Sequence, residues 1–172
     1  MFETTAYLIP AVAALAAPLL PRGWKAPAIG AGALAAWVML AAGVSGAPFA
    51  QALRVCALGL AAAALCAGLA HQILSAGVMA ALIGSVFLMS PAIAHAPARA
   101  PSIIGYACSL SPHASAAAAL ERDFAHERFF YAEQDPPAAD YGIVGAPWYR
   151  APLIYLAVGV PLIGLGLRRR RA

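Results

Sequence analysis

Residues 4–21, 26–53, 55–98 and 151–167 carry no charged side chain, and polar side chains are sparse in all four. An α-helix crosses the hydrocarbon core of a bilayer with about 20 apolar residues, within a range of roughly 17 to 25. The first, second and last stretches suit one crossing each. The third is too long for one and must fold back. Its only strongly polar pair, His71-Gln72, marks the expected hinge, after Ala70. The pattern predicts spans over residues 5–20 (interrupted by Pro10 and Pro18), 27–44, 52–70, 73–93 and 151–167. The expected fold class is an all-α integral membrane protein. A single membrane domain over residues 1–172 holds a bundle of about five transmembrane helices and one extracytoplasmic helical segment, residues 94–150.

Within that segment, residues 100–120 are also free of charge, but Ser102, Ser109, Ser111, Pro112, His113 and Ser115 make them poor lipid-facing material. They are expected to lie in the membrane interface or to re-enter partway. Ser111-Pro112 reads as a helix start, a hydroxyl at the cap followed by proline in the first turn. Helix-favouring residues then run to about Glu133, with Leu120, Phe124 and Tyr131 at helical spacing, and Pro136-Pro137 stop the helix. Trp148-Tyr149-Arg150 reads as an interfacial anchor, rings at headgroup depth beside a charge, and Trp24 does the same at the opposite face.

Composition agrees with a bilayer environment. The chain is 63% hydrophobic and 10% charged, against about 25% charged in a soluble domain. Its mean hydropathy is +0.78. The net charge of +4 equals the four arginines Arg168 to Arg171, so the basic balance speaks of membrane orientation and not of nucleic acid. Lysine and arginine collect on the cytoplasmic side of membrane proteins. The arginine tail is therefore expected in the cytoplasm and the amino terminus outside, in a bacterial inner (plasma) membrane. Arg22 and Lys25 then also fall inside. Residues 92–94 resemble a signal-peptidase site after an apolar run, which agrees with an outward exit there. Abundant alanine and glycine suit close helix packing in lipid. Cys56, Cys66 and Cys108 lack paired spacing; the first two are about 15 Å apart along one helix, too far to bridge.

Asp123, His126 and Glu127 stand at i, i+3 and i+4, on one face of the predicted outer helix. An imidazole between carboxylates in that arrangement suits a transition metal, and His113 and His95 are the other outer histidines that could complete the set. The competing reading is a wetted helix face whose charges pair with their neighbours. His71 sits alone in the inner turn, with no second histidine at its depth for haem. No acidic residue falls inside a span, and no phosphate-binding glycine loop, nucleophile elbow or zinc-protease pair occurs.

Phe129-Phe130-Tyr131, then Asp140-Tyr141-Gly142-Ile143-Val144-Gly145-Ala146-Pro147-Trp148, then Tyr155 in the last span form a pattern with a family likeness. It resembles the carboxyl end of the membrane assembly factors of caa3-type cytochrome oxidases, and His71 before a long apolar span is similar to a histidine of that family. Tyr141 stands where the family has glutamine, the spacing from Asp140 to Trp148 is shorter, and the family's histidine-rich early spans are missing. The resemblance implies an accessory role in building a copper-containing oxidase, with Asp140 and the outer histidines near metal traffic. The expected function is thus a non-catalytic subunit or assembly factor of an inner-membrane complex, respiratory if the resemblance holds, with lipid and other membrane subunits as partners. The alternative is a small membrane enzyme or transporter component with an outer-face metal or ligand site at Asp123, His126 and Glu127.

Overall fold

The computed structural model describes residues 2–16, 25–69, 72–85, 95, 99–122 and 146–169, and among these all regular structure is helical. The helices are α1 (Phe2–Ala16), α2 (Lys25–Ser45), α3 (Phe49–Leu69), α4 (Gln72–Gly84), α5 (Ala100–Leu110), α6 (Pro112–Ala119) and α7 (Arg150–Arg169). Alanine and leucine, the strongest helix formers, dominate most of them.

Among the described residues, α3 is the one helix long and apolar enough to cross a membrane. The apolar pieces Gly30–Ser45, Ile73–Gly84 and Arg150–Gly166 are shorter. The expected hinge coincides with the gap between Leu69, where α3 ends, and Gln72, where α4 begins; Ala70 and His71 lie outside the described residues. The Ser75 hydroxyl donates to the Cys66 carbonyl at 3.1 Å and ties the α3–α4 hairpin together.

α3 is the hub. It packs against α1, α2, α4, α6 and α7, most extensively against α7. Its buried face is mostly small: Ala52, Cys56, Gly59, Ala61, Ala62 and Cys66. A Cβ added to Gly159 of α7 would stand 2.7 Å from the backbone carbon and oxygen of Ala64 and from the nitrogen of Leu65. Ten residues earlier on α3, the Arg54 guanidinium lies 6.0 Å from the Trp148 ring, just before α7. The two helices therefore run parallel, in matched register. α2 runs opposite to α1, since the Phe2 backbone N–H donates to the Ser45 hydroxyl at 3.2 Å. One end of the bundle, the rim, gathers the starts of α1, α3 and α7 and the end of α2.

Apolar side chains also cover the outside. Leu8 and Val12 on α1, Leu40 and Val44 on α2, Ile73 and Leu74 on α4, and Leu153 and Val160 on α7 are all exposed. In water such a belt would be a large sticky surface of the kind soluble monomers avoid.

The expected outer segment opens as two short helices that cap the rim. Ser111 serves both. Its backbone N–H closes α5 on the Ala107 carbonyl at 2.9 Å, and its hydroxyl accepts from the Ala114 N–H at 3.4 Å to begin α6. The predicted start at Ser111-Pro112 is thus where α6 begins. The predicted run to about Glu133 is not: α6 stops at Ala119. Arg122 N–H bonds Ala117 O at 2.9 Å and Glu121 N–H bonds Ala118 O at 3.1 Å, with Glu121 in the left-handed region at φ 60°. This is a Schellman closure. α2 ends by the same motif on Gly46, φ 66°, with Ala47 N–H on Ala42 O at 2.9 Å. A sequence reader recognises the glycine and misses the glutamate.

Candidate functional site

Polar chemistry among the described residues gathers at the rim, where α6 sits on α1 and α3. The consecutive pair Glu121-Arg122 reaches two helices with opposite charges. The Glu121 carboxylate accepts from Arg54 at 2.8 Å, and Arg122 donates to Glu3. Gln51 Nε2 adds a bond to the Leu120 carbonyl at 3.3 Å. Glu121 can face α3 because its left-handed backbone turns the side chain away from the α6 axis. Both ion pairs are partly exposed, so each is worth at most about 1 kcal/mol. Below them Leu120 and Ala116 enter the core, and that burial does most of the anchoring.

On the other side of α3 the cap is held by α7. Tyr155 is 1% exposed, and its hydroxyl donates to the Leu110 carbonyl at 2.6 Å. That satisfies one of the carbonyls that the end of α5 leaves without a helical partner. Arg150 Nη1 reaches the Ser109 hydroxyl at 3.4 Å. Arg54 links the end of the cap to the approach to α7, paired with Glu121 and set against the ring of Trp148.

His113 occupies the first turn of α6, half-buried against α1. Its ring meets the Tyr7 ring edge-on, centroids 5.8 Å apart. Burial lowers its pKa below the ordinary value of 6.5, partly opposed by a hydrogen bond to the Tyr7 backbone. His95 is exposed. Asp123, His126, Glu127 and Asp140 lie outside the described residues, as does His71. Among the described residues no three His, Cys, Asp or Glu side chains stand close enough to hold a metal ion. Cys108 of α5 is buried, and burial pushes its thiol pKa up, which makes it a poor nucleophile.

Glu3 and Glu121 pair with arginines and His113 packs against the Tyr7 ring, so each of these groups joins two elements of the fold. The sequence marked Ser111, His113, Leu120 and Trp148-Tyr149-Arg150 one by one. It did not mark the Arg54–Glu121 and Glu3–Arg122 pairs. Glu3 and Arg54 do stand out in the sequence as isolated charges at span mouths, but nothing there names their partners. No family model, no curated protein and no solved structure matches this chain.

Proposed function

We propose that this chain is a five-span inner-membrane protein, amino terminus outside and arginine tail in the cytoplasm, that serves as a non-catalytic subunit or assembly factor of a membrane complex. The belt of exposed leucine, isoleucine and valine around a core of small residues carries this reading. Such an exterior needs lipid or other membrane helices to cover it. Along the described helices the charged positions fall near helix ends, Glu3, Arg54 and Arg150 toward the rim and Lys25, Arg168 and Arg169 toward the opposite ends, which suits headgroups on both sides. α1, α3 and α7 start at the rim and α2 finishes there, as alternating crossings require.

A scaffold role is favoured over a transport or catalytic one by the interior. Among the described residues it is lined mainly by alanine, valine, leucine, isoleucine, cysteine and methionine, and the Ser75 and Tyr155 hydroxyls are both occupied by backbone carbonyls. The carboxyl-terminal likeness to oxidase assembly factors makes a respiratory complex the first partner to look for.

Isolation of the tagged chain from native membranes in mild detergent, with identification of what accompanies it, is the test. A stoichiometric membrane-protein companion is expected. A chain that migrates alone under several mild detergents removes the subunit reading. Reporters fused after Ala172 test the orientation separately, and activity only in the periplasm would reverse it.

A further inference from the structure

Three arginines, Arg54, Arg122 and Arg150, stand where the cap meets the rim, and two are neutralised, Arg54 by Glu121 and Arg122 by Glu3. Arg150 differs. Among the described residues it meets no carboxylate, and its guanidinium reaches the Ser109 hydroxyl. That hydroxyl already donates to the Gly105 carbonyl at 2.6 Å, so it offers Arg150 a lone pair and no charge. A guanidinium that meets only a neutral hydroxyl among the described residues presents a fork of donors suited to phosphate oxygens.

What lies beneath Arg150 selects the kind of anion. Tyr149, Leu153, Leu156 and Val160 recur at i, i+4, i+7 and i+11, on one face of α7, and all four are exposed. Eleven residues of helix rise about 16 Å, close to one leaflet of a hydrocarbon core about 30 Å thick. The Trp148 ring meets Tyr149 edge-on at 6.1 Å and steadies the top of the stripe. Tyr106, one turn before Ser109 on α5, is 74% exposed. A cation heading an apolar stripe one leaflet long fits an amphiphile with an anionic head.

We propose that the corner between α5 and α7 binds one anionic phospholipid, its phosphate on Arg150 and an acyl chain along Tyr149, Leu153, Leu156 and Val160. This rests on the membrane reading above and names a ligand for it. Arg150 supplies charge, the Ser109 hydroxyl orients the guanidinium, and the stripe supplies the contact that a free anion lacks.

The full chain in mild detergent, titrated with phosphatidylglycerol, phosphatidylcholine or glycerol phosphate and followed by native mass spectrometry, tests the site. One phosphatidylglycerol per chain is expected to survive desolvation, with weaker retention of the other two. Arg150→Gln should weaken phosphatidylglycerol about tenfold, the scale of one charge-assisted contact, and Arg150→Lys should keep most of the binding. Equal retention of phosphatidylcholine, or equal retention of glycerol phosphate, overturns the proposal without any variant. So does an Arg150→Gln protein that binds like the parent. Loss of the chain from carbonate-washed membranes would instead remove the membrane reading itself, and this site with it.

Discussion

A Cβ placed on Gly68 would lie 2.7 Å from the carbonyl oxygen of Gly159, so α3 and α7 touch backbone to backbone there. In a bilayer, where apolar side chains gain little by leaving lipid for a neighbour, such close approach is a main source of helix association. Gly159→Ala should therefore destabilise the fold by about 1–3 kcal/mol, the usual range for overpacking. Its methyl would press on Ala64 and Leu65 backbone atoms, which have no rotamer to escape to. Gly164→Ala, with no atom within 4 Å of the new methyl, should stay within about 0.5 kcal/mol. Unfolding of both variants in mixed detergent gives the comparison, and equal losses would mean that the contact is loose.

Glu121 sets a backbone cost against an ion pair. Its left-handed φ of 60° costs a non-glycine residue about 1 kcal/mol, while a partly exposed pair with Arg54 returns at most about 1 kcal/mol and is screened by salt. Glu121→Gly should be near neutral at low salt and stabilising in 1 M salt. Thermal melts at the two ionic strengths decide. A large loss at both would show that Glu121 does more than close the helix.

Stability should fall on mild acidification because of His113. Its pKa is lowered in the folded state from 6.5, so the unfolded chain binds the proton more tightly. The contribution is fully present above pH 6.5 and is lost as pH falls from there through the depressed folded value. His113→Gln should flatten the profile below about pH 6.5. A variant with the parent's slope would assign the pH dependence elsewhere.

Thiol labelling distinguishes depth from sidedness. Cys108 is 6% exposed, so an impermeant maleimide should leave it untouched in the folded protein whichever side it faces. Ser102 on the same helix is exposed. Ser102→Cys should label from the outer face of intact cells, with Cys108 reacting only after denaturation. Rapid labelling of Cys108 in the parent would contradict the packing of α5.

Tyr155→Phe removes the donor to the Leu110 carbonyl and keeps the ring. A buried acceptor left unpaired costs about 1–3 kcal/mol. The loss should appear as faster proteolysis within the cap, since α5 and α6 lose one of their ties to α7.

Much of this fold is readable from where charges are missing. The helix bounds of α2, α3 and α7 fall near the ends of the predicted apolar runs, marked by Pro27 and Gly46, by Pro48 and the His71-Gln72 pair, and by Arg150 and Arg168. α4 ends at Gly84 with Ser85 in a turn, and residues 86–94, the rest of a run expected to reach Ile93, lie outside the described residues. The start of α6 is written in Ser111-Pro112, but its end at Leu120-Glu121 is not, because the left-handed position holds glutamate in place of the usual glycine. Arg54 and Glu121 are 67 residues apart, and one sequence carries no cue that joins them. The candidate metal residues Asp123, His126 and Glu127 fall outside the described residues, whereas His113, one of their expected companions, packs against Tyr7.

Arg54 is engaged at once by Glu121 and by Trp148, so two positions 27 residues apart in sequence stand close together in the fold. A chain whose exit and entry coincide can be severed between them with little effect on the rest. Fragments comprising residues 1–122 and 146–172, produced separately in one cell, would be expected to find each other through α3 and α7. The stretch between them is then a natural place for insertions to accumulate without disturbing the described helices.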